Sequence, residues 1–147
     1  MEFALVFPVI VFLVVAFIEG GRAVYSYTTI TNAARDGARV AAVNQLTNFA
    51  DCDETLPIQD ALDAHWTIVG CAIQAGVSLG LQPSNVSISY STPPGTTISC
   101  SPTIHIGCLA AVTVTYHYAP STPLVSGVIP TVTLSATSQM PVERVFP

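Results

Sequence analysis

The side chains of this chain that could bind a metal or carry out a reaction are spaced in ways that argue against both. His65, His105 and His117 are scattered, with no His-x₃-His pair and no carboxylate placed to complete a ligand set. Cys52, Cys71, Cys100 and Cys108 are separated by 18, 28 and 7 residues, not by the short C-x₂₋₄-C intervals of a structural zinc site. Asp51, Asp53 and Glu54 lie close together, but the ligand pattern of an EF-hand loop is missing, and a solvated helix end accounts for them better. The serines have no placed base to activate them. Gly20-Gly21 follows apolar residues and not a strand, so it is no phosphate loop. These residues predict no catalytic site, no metal and no cofactor.

The cysteines have a different use. An even number, all beyond an apolar segment, reads as two disulfides formed in an oxidising compartment. Four cysteines permit three connectivities. Cys52–Cys71 and Cys100–Cys108 close short local loops and are the favoured pairs.

One carboxylate sits where none is expected. Glu2 opens a run of sixteen uncharged residues, Phe3 to Ile18, interrupted by Pro8 and followed by Glu19, Gly20, Gly21 and Arg22. The run is slightly short for a bilayer span, and the two glycines extend the uncharged length available to a tilted helix. A carboxylate at the deep end of such a helix is unfavourable unless a positive group meets it. The nearest such group is the α-amino group of a neighbouring copy. That points to a helix stored in a membrane and then bundled with others. Glu19 lies three residues before Arg22, near the membrane boundary, and is given only a supporting role.

Composition narrows the class. The chain has 147 residues, four arginines, no lysine and nine acids, for a net charge of −5. Nucleic-acid binding is excluded, because phosphate neutralisation needs clustered positive charge. Half the residues are hydrophobic, and Thr, Ser, Val and Pro dominate the C-terminal half, as on an extracellular β-rich surface.

The elements that must position these residues follow from periodicity. No proline interrupts residues 21–49, and Ala33, Ala34, Gly37, Ala38, Ala41 and Ala42 form a stripe that lets helix backbones approach closely. One helix is expected over about 1–49, a rod of roughly 70 Å, with Pro8 and Gly20-Gly21 as its weak points. A second helix is expected over about 58–80, with Asp60 and Asp63 in its first turns and Gly76 and Gly80 at its end. Beyond it the period becomes two. Val86, Ile88 and Tyr90 alternate with serines, a short strand fits Thr97–Ser99, Ala110–Tyr118 is a strong strand, and Val132 to about Met140 is the last. The fold class is therefore α+β, with an antiparallel sheet of three or four strands packed on the helices. Residues 1–25 read as a membrane or filament-core stem, and 26–147 as a head. The Pro-rich connection Ala119–Pro130 carries Leu124, Val125, Val128 and Ile129, a candidate lateral contact between heads, or else a loop folded over its own domain.

The segment Glu2-Phe-Ala-Leu-Val-Phe-Pro8, then Glu19-Gly-Gly-Arg22, Tyr25, Tyr27 and Thr31-Asn-Ala-Ala-Arg-Asp-Gly-Ala-Arg39, resembles the N-terminal region of TadE-like pilins. Leu134 to Glu143 loosely resembles the family's closing strand. These are type IV pilin-like proteins of tight-adherence secretion systems. The resemblance implies a precursor held in the cytoplasmic or inner membrane, cut after a glycine by a prepilin peptidase, and extracted by a pilus assembly machinery into a surface filament. It also implies that Glu2 meets the N-terminal amine of a neighbouring subunit. Members usually carry a basic leader before that glutamate, whereas this chain starts Met1-Glu2. A structural subunit of a homo-oligomeric helical filament is the expected function. The alternative is a minor or tip pilin acting in initiation or adhesion.

Overall fold

In the computed structural model, residues 2–45, 52, 67–122, 126–127 and 130–145 are described. The first element, α1 (Glu2–Val43), is a single helix of 42 residues that runs through Pro8 without a break, about 63 Å long at about 1.5 Å per residue. The chain was expected to stay helical to about 49. Instead α1 ends at Val43, where the C-terminal segment takes over the Ala42 carbonyl: Glu143 N and Arg144 N both donate to Ala42 O, at 2.9 and 3.2 Å. Gln45 Nε2 completes the seam by donating to Arg144 O at 2.8 Å. Residues 46–49 lie outside the described residues.

The second helix, α2, spans Ile68–Ala75 and is capped by Thr67, whose side chain accepts from Gly70 N. Residues 58–66 lie outside the described residues, and a helix running unbroken from about 58 is not what forms: Thr67 is extended, with φ of −98° and ψ of 145°, so α2 starts at Ile68. Its end falls short of the expected 80 for a steric reason. Leu81 folds back so closely that a Cβ at Gly76 would lie 2.2 Å from Leu81 Cδ1. The chain therefore leaves the α-helix at Gly76, makes a tight turn over Val77–Leu79, and reverses at Gly80 with φ of 64°.

Three strands follow: β1 (Val86–Ser91), β2 (Leu109–Tyr118) and β3 (Val132–Pro141). They form one antiparallel sheet with β2 in the centre, Val112 facing Ile88 on one side and Ser138 on the other. Thr97–Ser99, expected as a short strand, pairs with none of these. Those residues lead into the Cys100–Cys108 loop, which is tied instead by Gly107 N to Val142 O and by Val142 N to Cys108 O, at 2.8 and 2.7 Å.

The period-two pattern sorts the sheet faces as expected. The outer face is hydroxyl-rich, with Thr113 and Thr137 hydroxyls 2.7 Å apart and His117 Nδ1 3.1 Å from Thr133 Oγ1. The inner face packs on both helices. Ile30, Ala33, Ala34, Ala72, Val114 and Ala136 form one buried group, and Ala38, Ala41, Ile68, Cys71, Ala110, Val112 and Val142 form another. A long N-terminal helix, a second helix and a three-stranded antiparallel sheet make this the α+β, pilin-like fold expected. The disulfides join Cys52 to Cys71 and Cys100 to Cys108. Closing these loops constrains the unfolded chain by about 3 kcal/mol each. Reduction should lower the thermal midpoint by well over 10 °C, read by near-ultraviolet circular dichroism with and without reductant.

Candidate functional site

The stem is the part of α1 that its own chain leaves bare. Phe3 is 78 % and Phe17 80 % exposed, and Val6, Phe7, Ile10, Leu13, Val14 and Ile18 are all more than half exposed. Large apolar side chains therefore radiate on every side of the helix, which a water-facing helix of a folded domain does not do. Pro8 lies within this bare stretch. Glu2 occupies the first turn of α1, and its side chain lies outside the described residues. By length and composition α1 is able to cross a membrane, and it is the one such helix among the described residues.

The small-residue stripe has a different role from the one expected. Ala33, Ala38 and Ala41 are 0 % and Ala34 1 % exposed, all beneath the head. A Cβ on Gly37 would meet Val112 Cγ1 at 3.0 Å and Ala72 Cβ at 3.2 Å. The stripe thus seats α2 and the central strand against α1 within one chain, and leaves no small-residue groove at these positions for a neighbouring helix. The surface these residues cover is spent on the fold. On the opposite side of the helix Arg39 pairs with Asp36 at 3.6 Å, an exposed contact of little energetic weight.

Glu19 corrects the expectation more sharply. The expected pairing with Arg22 is present, but Glu19 is also 6 % exposed and held by the head, which is more than a supporting role. Its carboxylate accepts from the Tyr118 hydroxyl on Oε2 and, on Oε1, from Ser121 N, Thr122 N and Thr122 Oγ1, the last three at 3.1 Å each. Arg22 Nη1 adds an ion pair at 3.2 Å and reaches Ser121 Oγ as well. A buried carboxylate needs such a full set of donors to remain charged. Tyr118, Ser121 and Thr122 were missed as partners. Tyr118 shares a face of β2 with Val112 and Val114, but nothing in the sequence says which part of α1 passes beneath that strand's end.

Burial, together with the hydrogen bond and charge of Glu19, raises the Tyr118 phenol above its ordinary value of 10.0. The folded head therefore holds that proton longer than the unfolded chain does. This contribution is complete below pH 10 and is lost as pH rises through the higher folded value. Thermal stability should stay level between about pH 7 and 9 and fall above about 10, and Tyr118→Phe should reduce that fall.

The lateral-contact residues Leu124, Val125, Val128 and Ile129 lie outside the described residues. Among the described residues, no group of three or more His, Cys, Asp or Glu could hold a metal ion. The chain thus offers an apolar stem, a buried junction at Glu19, and a disulfide-braced head.

Residues 1–39 match the family model of TadE-like protein. No curated protein and no solved structure matches the chain. The match takes in the bare apolar stem, Glu19 and Arg22 of the junction, and most of the small-residue stripe, and it covers none of residues 40–147.

Proposed function

We propose that the protein is a structural subunit of an extracellular Tad-type filament, assembled through its N-terminal helix. The observation that carries this reading is the bare stem: large apolar side chains from Phe3 and from Val6 to Ile18 stand exposed, and Glu19 is the first residue of α1 that the head holds. Glu2 to Ile18 spans about 25 Å of helix, somewhat less than the hydrocarbon core of a bilayer. Such a stem needs an apolar surround on every side. A membrane supplies it before assembly, and the stems of neighbouring copies supply it in a filament core, at about 25 cal/mol per Å² removed from water.

In that core the Glu2 carboxylate is met by the terminal amine of an adjacent copy, because an unpaired carboxylate is not tolerated there. Residues 1–25 act as the stem and 26–147 as the exposed head. The disulfides suit an oxidising exterior. A main subunit presents two different faces to successive copies, so its contact does not close and propagates as a helix. A prepilin peptidase and a membrane assembly machinery are the partners this reading requires.

A minor or tip pilin would use the same stem in small numbers. Immunogold labelling of native cells with antibody against the head separates the two. Label along the length of surface filaments supports a main subunit, and label confined to tips or bases supports a minor one. Label over the membrane alone removes both.

A further inference from the structure

We propose that the segment Tyr118 to Thr122 is a splint across the Gly20-Gly21 step of α1, with Glu19 as its stem-side anchor and Arg22 as its head-side anchor. Two adjacent glycines are the weakest point of a long helix, because each frees more backbone states than any other residue. No atom lies within 4 Å of a Cβ built on either one, so side-chain packing gives this step no support. The splint supplies it from outside.

On the stem side, Glu19 is held by the Tyr118 hydroxyl and by Ser121 N and Thr122 N. On the head side, Arg22 donates to Ser121 Oγ, and its guanidinium carbon lies 6.0 Å from the centre of the Tyr118 ring. The Glu19–Arg22 ion pair at 3.2 Å closes the bridge over the glycines. Tyr118 is the last residue of β2, the central strand, so the splint is rooted in the stiffest part of the head. Phe17 and Ile18, just before the anchor, are 80 % and 58 % exposed. The direction in which the stem leaves the head is therefore set at this step, and Glu19 is a positioning residue for the stem. The proposal does not rest on the filament reading, since it concerns the free chain.

The test is amide hydrogen exchange on the full chain in phospholipid nanodiscs. Glu19→Ala should speed exchange at Gly20 to Val24 by about tenfold while Val112 and Val114 keep their protection. Adding Gly20→Ala and Gly21→Ala, which meet no neighbour, should bring exchange there back to within about twofold of the parent by stiffening the helix directly. Unchanged exchange at Gly20 to Val24 in Glu19→Ala overturns the splint. So does loss of protection throughout the sheet that the alanine pair fails to restore, because Glu19 would then serve only to fold the head. If Glu19→Ala does not fold, Tyr118→Phe decides. It removes one donor and keeps the ring, so faster exchange at Gly20 to Val24 supports the splint and no change rejects it.

Discussion

Gly37→Leu should unfold the head. A bare Cβ at this position already sits 3.0 Å from Val112 Cγ1 and 3.2 Å from Ala72 Cβ, with Ile68 O at 3.5 Å. Three further carbons have no space between α1, α2 and the central strand. Val112 and Ala72 are both 0 % exposed, so neither can give way toward solvent. Overpacking in a close-packed core of this kind should cost about 3 kcal/mol or more, a large part of the stability of a small domain. Thermal unfolding followed by circular dichroism on the full chain in detergent is the measurement. The expected result is a lost or strongly lowered transition of the head, with α1 retaining helicity inside the micelle. Gly20→Ala provides the contrast, since its Cβ meets nothing and alanine favours helix by up to about 1 kcal/mol. A parent-like midpoint for Gly37→Leu would mean that α1 does not lie so close to the sheet.

Ile10→Arg should separate the stem from the head. Ile10 is 51 % exposed and lies more than two turns before Glu19, so the head has no contact to lose. An arginine at the centre of a spanning helix opposes insertion by about 3 kcal/mol, which corresponds to roughly a hundredfold shift in partition. Fractionation of cells should find the variant depleted from membranes while its disulfides and head fold remain intact. Filaments should not incorporate it, because the charge meets neighbouring apolar stems in the core. Retention in the membrane at the parent level would show that this segment is not the one that inserts.

Much of this architecture was legible because period and composition act locally. The alternation Val112, Val114, Tyr116, Tyr118 puts these residues on one face of β2, and the short loops favour the two disulfides that form. The stem was legible for the same reason, as an uninterrupted apolar run. Three features were not. The stripe from Ala33 to Ala41 shows that backbones approach closely, but the residues themselves do not say whether the approaching surface is a neighbour's helix or the chain's own sheet. The end of α1 at Val43 depends on Glu143 and Arg144, about a hundred residues away in the chain. The Glu19 cluster unites residues with sequence separations of 99 to 103, and neither the tyrosine nor the Ser-Thr pair has a pattern pointing to a carboxylate in the stem. Long-range polar contacts of this kind carry no period, so they are read only once the fold has placed them.

The central claim is that this chain builds a surface filament, and the composition of sheared filaments tests it most directly. Filaments are detached from native cells by shear, separated from membranes by density, and measured by quantitative mass spectrometry against a labelled standard of this chain. The expected result is that the chain is the major protein of the filament fraction, with both disulfides oxidised and its apolar stem retained. Recovery of filaments that lack the chain, while it remains in the membrane fraction, would contradict the account.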